Sequence, residues 1–434
     1  MGELHASAGE VDLLPPVGGW MTGYAARVAP TTGIHDPLMA RALLLDDGHT
    51  RLAMISCDLL GFAPAAVLAM RQRIARRCAI PAGNILIACT HTHSGPASMP
   101  LRGVLGHVDN AWLAEAQNKI VDLVAGLPER LTPARFAHGT TNVPGVGFNR
   151  QDAAHAVDQE LRALAFETSE GKAIATVANY ATHAVVLGPD NLEYSGDFPG
   201  ATARHLQRLR GGTGLYLQGA CGDVDPAVNR DRGWGLGTFA DCEEIGERLA
   251  KAAGAALDRA SWADEVTLGV TRKTLDIPLD PPPSAEALAQ MVAGYEADRL
   301  RAAEAPTDPI QEQIAAAMLQ WAGELQRAMR EGAVPRTLPA ELFVAELDEL
   351  RLVAVPFETY TDIGVGIKRA LAPRPAFLVG YANGLYGYCP SRWAKEQGGY
   401  GPDSSARWFS ALLTPIGYGA DELIVHEGAR SNDP

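Results

Sequence analysis

The stretch ACTHTHSGP, residues 88–96, places two histidines two residues apart directly behind the apolar run ILIAC. In extended backbone, side chains two apart share a face, so His91 and His93 can reach one centre. Neutral imidazole is a common zinc ligand, and a catalytic zinc takes three protein ligands with one position left open. The competing reading is two loop histidines bonded to backbone. Four more polar clusters each follow a probable strand: His183, GACGDVD at 219–225, Glu358, and Asn383 through Tyr388. In α/β folds ligands bind in the crevice beyond the carboxyl ends of strands. Five clusters so placed predict one shared cleft. Taken singly they are blander: Glu358 reads as a carboxylate opening a helix, and a phenol such as Tyr388, of pKa about 10, rarely ligates without activation.

The elements that must hold these groups alternate along the chain. Residues 42–56 read as two strands around an Asp-Asp-Gly turn, 64–79 as an amphipathic helix, and 84–90 as a buried strand. A helix is expected over 111–127 and paired strands over 160–168 and 172–181. A further helix opens at 196–210, with Asp197 as its N-cap and Pro199 in its first turn. Residues 214–223 read as a strand running into a glycine-rich turn. The proline-rich DIPLDPPPS (276–284) then leads into two helical patterns over 284–331. These predict a helical hairpin inserted into, or laid over, the core, as scaffold or subunit contact rather than as a lid. Strands return at 341–356 and 376–384, with a helix between. The expected fold is α/β, a mixed β-sheet core flanked by helices, as one domain over 1–434. No repeat of 20–50 residues shows, although CTH (89–91) and ATH (181–183) each follow a strand and hint at a duplication.

The 434 residues are 47% hydrophobic and 20% charged, which is globular composition. A net charge of −14 argues against nucleic acid or an anionic membrane as partner, since both reward clustered lysine and arginine. There is no run of eighteen apolar residues, no signal-like leader, and six cysteines without a CxxC pair. The expectation is a cytoplasmic protein that meets a small-molecule substrate without stable membrane association, with the hairpin as a candidate homodimer contact.

At this point the motifs carry a resemblance. EVDLLPPVGGWMTGYAAR, GIHDPLMARALLL, ISCDLLG, THTHSGP, GFNR, NYATH, SGDFPG, GDVDP, VPFE and NGLYGYCPS together resemble the catalytic domain of the neutral, non-lysosomal ceramidase family. The resemblance implies one zinc ion per chain, held by His91, His183, Glu358 and Tyr388. Tyr388 is chosen over Tyr386 because its distance from Asn383 matches the family's spacing. It also implies His93 as a partner beside the metal that moves a proton or donates to an oxyanion, and Arg150 as a neighbouring arginine. The implied activity is hydrolysis of an amide C–N bond in an N-acyl substrate by metal-activated water. Asp58, Asp197 and Asp223 flank these motifs and are candidates to orient the ligand imidazoles.

Three departures from the family stand out. Its GDVSP pattern has a serine, proposed as nucleophile, where this chain has Asp225. A carboxylate there would act instead as a general base or hold a polar substrate group. The immunoglobulin-like C-terminal domain and the secretion signal usual in the family are not expected here, nor is a membrane-docking patch. Alternatives are an esterase or lactonase using the same site, a catalytically silent binding protein, and, more distantly, a barrel amidohydrolase. Cys89 and Cys221 beside the motifs read as buried thiols rather than nucleophiles.

Overall fold

The computed structural model describes residues 2–304 and 309–430, a mixed α/β architecture built on three sheets. In the first, β1 (His5–Asp12) pairs antiparallel with β2 (Met39–Asp46), β2 with β3 (Arg51–Cys57), and helix α1 (Pro64–Arg77) returns the chain to β4 (Ile85–Cys89), parallel to β3. A two-residue strand, Thr132–Pro133, closes its edge. Helix α2 (Asn110–Ala125) follows, its first turn capped by the Asp109 side chain accepting from the Ala111 and Trp112 amides.

The second sheet repeats the plan. Strand β5 (Arg135–Asn142) leads through the short β6 (Gly147–Asn149) to the antiparallel pair β7 (Glu160–Glu167) and β8 (Ala173–Tyr180). Helix α3 (Asp197–Arg210) then delivers β9 (Thr213–Gln218) parallel to β8. Strand β10 (Val224–Pro226) pairs back onto β6, and α4 (Phe239–Leu257) starts on a capping box between Thr238 and Asp241.

The third sheet repeats it again. Strand β11 (Leu268–Pro278) precedes the helical pair α5 (Ala285–Glu304) and α6 (Pro309–Glu331); β12 (Thr337–Leu347), β13 (Leu350–Ala354), the two-residue β14 (Glu358–Thr359) and α7 (Thr361–Leu371) follow. Strand β15 (Ala376–Val379) lies parallel to β13, β16 (Tyr388–Cys389) lies parallel to β14, and α8 (Ala420–Ala429) ends the described chain. The repetition is one of topology. The CTH and ATH motifs are not its equivalent points, because one follows the last strand of the first unit and the other the third strand of the second.

Inner strands such as β3, β4 and β13 are nearly continuous apolar runs because both faces are covered. Leu43, Leu45 and Met54 of the first sheet meet Leu164, Phe166 and Val177 of the second and Phe343, Leu352 and Phe377 of the third in one buried cluster. Outside the sheets, α1 turns Val67, Met70 and Ile74 inward at helical spacing. The expected helical hairpin forms and is bolted down rather than laid loosely on the core. Buried Arg102 pairs with Glu324 of α6 at 2.7 Å and also donates to the carbonyls of Arg407 and Phe409. The Trp321 indole of α6 donates to the Leu413 carbonyl at 2.9 Å. Of its expected PTDP turn, residues 306–308 lie outside the described residues, and Pro309 opens α6. Among the described residues no helix is long and apolar enough to cross a membrane.

Two local expectations need correction. Asp197 is the first residue of α3 rather than its N-cap, which is Gly196. Its carboxylate instead accepts from the Leu187 and Phe198 amides, and its φ of +53° marks a forced turn. Glu358 does not open α7: it lies in β14, three residues earlier, in register with Tyr388.

Candidate active site

The ends of the strands converge by backbone bonding. The Tyr381–Asn383 segment after β15 docks on β4: Cys89 N donates to Tyr381 O, and Asn383 N donates to Ile87 O. Gly380 N reaches Gln218 O of β9, Gly222 N reaches Thr359 O of β14, and His183 N reaches Val224 O of β10. His91, Tyr381 and Asn383 all take positive φ, at +63°, +53° and +60°. Such conformations cost about 1–3 kcal/mol each for non-glycine residues and persist where the surroundings over-determine them. Here the three sheets do so together.

His91, His183 and Glu358 meet at this junction. His91 Nε2 lies 3.2 Å from Glu358 Oε2, and His183 Nε2 lies 3.5 Å from the same oxygen. Both histidines and the glutamate are buried. The Nδ1 of His91 bonds the Leu60 carbonyl at 2.7 Å, and the Nδ1 of His183 bonds the Cys221 carbonyl at 3.1 Å. A carbonyl only accepts, so each Nδ1 carries the proton and each Nε2 presents a lone pair. Two imidazole lone pairs and a carboxylate oxygen therefore face one another, with His183 Nε2 and Glu358 Oε2 lacking any hydrogen-bond partner. Buried acceptors aimed at one point without a donor call for a cation.

His93 stands beside this trio, its Nε2 3.3 Å from His91 Nε2, and the ligand atoms of the three histidines lie within 4.8 Å of one another. Burial lowers the His93 and His183 pKa values well below the usual range, with neighbouring imidazoles adding to the effect, which favours neutral rings able to coordinate. Gly23 is required against His93: it has a φ of +100°, and a Cβ there would fall 2.5 Å from the ring. Tyr381 supports the other side, its ring stacked on His91 with centroids 4.1 Å apart.

Tyr388, paired with Glu358 through β14 and β16, turns its ring parallel to His183 at 6.5 Å. Its hydroxyl accepts from Arg150 Nη2 at 2.8 Å. Burial raises the phenol well above its ordinary pKa, although Arg150 acts against that. Tyr386 packs on Phe357 instead. Arg150 comes from the β6 end; its Nη2 also reaches the Gly222 carbonyl at 2.7 Å, and its Nη1 lies 3.3 Å from Asp225 Oδ1. Asp225 sits on β10, opposite Phe148 of β6.

Asp58, Asp197 and Asp223 do not orient the imidazoles. Asp58 binds Arg41 at 2.7 Å, and Asp223 accepts from Asn149 and the Thr361 amide. Backbone carbonyls do that work, and carbonyls leave no signature in a sequence. Cys221 is a buried thiol 3.2 Å from the Tyr381 hydroxyl, and burial pushes both Cys89 and Cys221 upward in pKa, away from thiolate chemistry.

A cleft of about 1040 Å³ opens over the cluster, lined by His93, Arg150, Asp225 and Tyr388. Sequence reasoning missed its walls: Tyr24, Trp234, Tyr360, Tyr400 and Trp408, from widely separated segments. Only Tyr24 lay in a quoted motif. The three connections that follow β1, β5 and β11 all reach the cleft, through Tyr24, Arg150 and Ile314 of α6 respectively. The hairpin therefore forms a wall of the cleft.

The model of the neutral/alkaline non-lysosomal ceramidase family, N-terminal region, matches residues 7–229. The chain belongs to this family. It is 26% identical over 276 residues to a neutral ceramidase of Pseudomonas aeruginosa, a match covering 57% of this chain and 40% of the relative. A Mycobacterium tuberculosis neutral ceramidase is 27% identical over 231 residues, covering 46% and 34%. The chain thus spans less than half the length of these curated relatives. The crystal structure of the Pseudomonas aeruginosa neutral ceramidase superposes with a TM-score of 0.75 at 19% identity, covering 99% of this chain and 74% of that one. The ceramidase fold extends past residue 229, through the third sheet and the short β14–β16 pair that carries Glu358 and Tyr388.

Proposed function

We propose that this ceramidase-family chain is a zinc-dependent hydrolase that cleaves the amide C–N bond of an N-acyl substrate, giving a carboxylate and an amine. The observation that carries the reading is the trio of buried acceptors, His91 Nε2, His183 Nε2 and Glu358 Oε2, set beside His93 and Tyr388, which line the large cleft. Two imidazoles and a carboxylate suit zinc, with Tyr388 as a further oxygen nearby. When bound, zinc supplies Lewis acidity towards a carbonyl oxygen and acidifies water.

The remaining roles fall to this chain's own groups. His93 is positioned to donate to the oxygen on which charge develops, a contribution of typically about 3 kcal/mol for one well-placed donor. Arg150 is already engaged at both terminal nitrogens and orients the Tyr388 hydroxyl. Asp225, at its hydrogen-bonding distance from Arg150, takes the place that the family resemblance gives to serine. Tyr24, Trp234 and Trp408 offer apolar surface for the arms of the substrate.

The test is turnover of simple N-acyl amides, with matched esters in parallel, before and after chelation. Chelator-sensitive amide cleavage restored by zinc supports the reading. Ester cleavage alone would replace it with esterase chemistry at the same site, and metal binding without any turnover would favour a binding protein.

A further inference from the structure

Among the described residues lining the cleft, Arg150 is the one cationic side chain, against Asp152 and Asp225. Two further arginines stand behind lining rings rather than in the cleft: Arg27, with its guanidinium 5.1 Å from the Tyr24 ring, and Arg230, 5.7 Å from the Phe148 ring and paired with Asp231. An arginine in a substrate cleft is ordinarily a carboxylate receptor, because its planar fork matches two oxygens. Here the fork is already taken. Nη1 faces Asp225 Oδ1 at 3.3 Å, while Nη2 donates to the Gly222 carbonyl and the Tyr388 hydroxyl. Asp225 is itself held rigidly: it is almost wholly buried, its strand is paired to β6, and the next residue is a proline.

We infer that Asp225 sets the charge specificity of this cleft: by occupying Arg150, it makes the site reject N-acyl compounds whose amine arm carries a carboxylate and favour those with an uncharged arm. The inference rests on the amide-hydrolase reading for its substrates, but its recognition step is separate from the chemistry. With Asp225 in place, an incoming carboxylate meets a neutralised arginine and two acidic side chains. With Asp225 replaced by an uncharged residue, Nη1 becomes available and the local charge changes by one unit.

The test pairs two probes that differ at one end, N-hexanoylglycine and N-hexanoylethanolamine. Hydrolysis rates are measured for both. Affinity is measured separately with their methylene-ketone analogues, in which CH₂ replaces the amide NH and no C–N bond can break; the signal is the fluorescence of Trp234 and Trp408. Wild type should prefer the ethanolamine form in both assays. Asp225→Asn and Asp225→Ser should each shift the glycine-to-ethanolamine affinity ratio about tenfold towards the anion, the scale of one charge-assisted hydrogen bond. Adding Arg150→Gln to either variant should abolish that shift, which a merely unfolded or loosened site would not reproduce. An unchanged ratio in both single variants, or a wild type that prefers the carboxylate, overturns the inference. A shifted affinity ratio with no hydrolysis of either amide would sustain it while removing the amidase reading.

Discussion

Two of the buried aspartate–arginine pairs among the described residues match in residue type and differ in use. Asp58–Arg41 closes at 2.7 Å with both side chains shut away from solvent, and Asp58 also accepts from the Met39 amide. Asp225–Arg150 is longer, at 3.3 Å, with the arginine a quarter exposed and its remaining nitrogen on a cleft hydroxyl. The first pair joins β2 to the end of β3 and touches nothing reactive. The second joins β6 to β10 at the mouth of the acceptor cluster. Residue type does not separate them; the strand end on which each stands, and whether a connection leaves it open, does.

Breaking the structural pair should produce the largest effect on folding. Arg41→Met leaves Asp58 buried without its cation, and such losses cost about 3–5 kcal/mol. Urea unfolding should show that loss, while zinc content per folded molecule stays unchanged. A change in zinc content would mean that the two regions are coupled.

A third buried aspartate sharpens the comparison because no arginine serves it. Burial raises Asp197 to about 6, against backbone bonds from Phe198 and Leu187 that lower it. Its folded value exceeds the unfolded one, so its contribution to stability is complete below about pH 4 and is lost as pH rises through 6. Relative to wild type, Asp197→Asn should therefore gain up to about 3 kcal/mol between pH 4 and pH 7. Unfolding midpoints at the two pH values measure this, and a constant offset would contradict it.

At the cleft pair the effects should fall on turnover instead. Arg150→Lys keeps the charge but cannot hold Asp225, Gly222 and Tyr388 in one plane, so kcat should fall roughly thirtyfold, about 2 kcal/mol. Stability should change by under about 1 kcal/mol, since this pair is partly solvated. The smallest expected effect on turnover is at Gly23, where alanine would strain a positive φ and press on the buried His93 ring, costing more than about 1 kcal/mol of stability. A kcat loss exceeding any change in KM would place that pressure on His93 rather than on substrate binding.

Much of the scaffold was legible because ILIAC and LAMIS are short apolar runs whose length and flanking turn residues read as buried strands, and because helices such as α1 advertise a helical stripe. Strand β1, HASAGEVD, escaped notice: small and polar residues give it no alternation, and it is a strand only because β2 pairs with it along its whole length. The threefold plan of the sheets was hidden because topology repeats without sequence repeating. Histidines 91 and 183 could be read from their positions behind strands. Glu358 was placed at the right junction but on the wrong element, since a two-residue strand leaves no periodicity. The carbonyls of Leu60 and Cys221, which aim the imidazoles, and the aromatic walls from distant loops exist only once the chain has folded.

The most direct test of the central claim is the zinc content of the purified protein by elemental mass spectrometry, for wild type and His91→Ala. The account predicts about one zinc per chain in wild type and essentially none in the variant, with the variant's far-ultraviolet circular dichroism unchanged. Full zinc occupancy in His91→Ala, or none in wild type even after zinc is supplied, would contradict it.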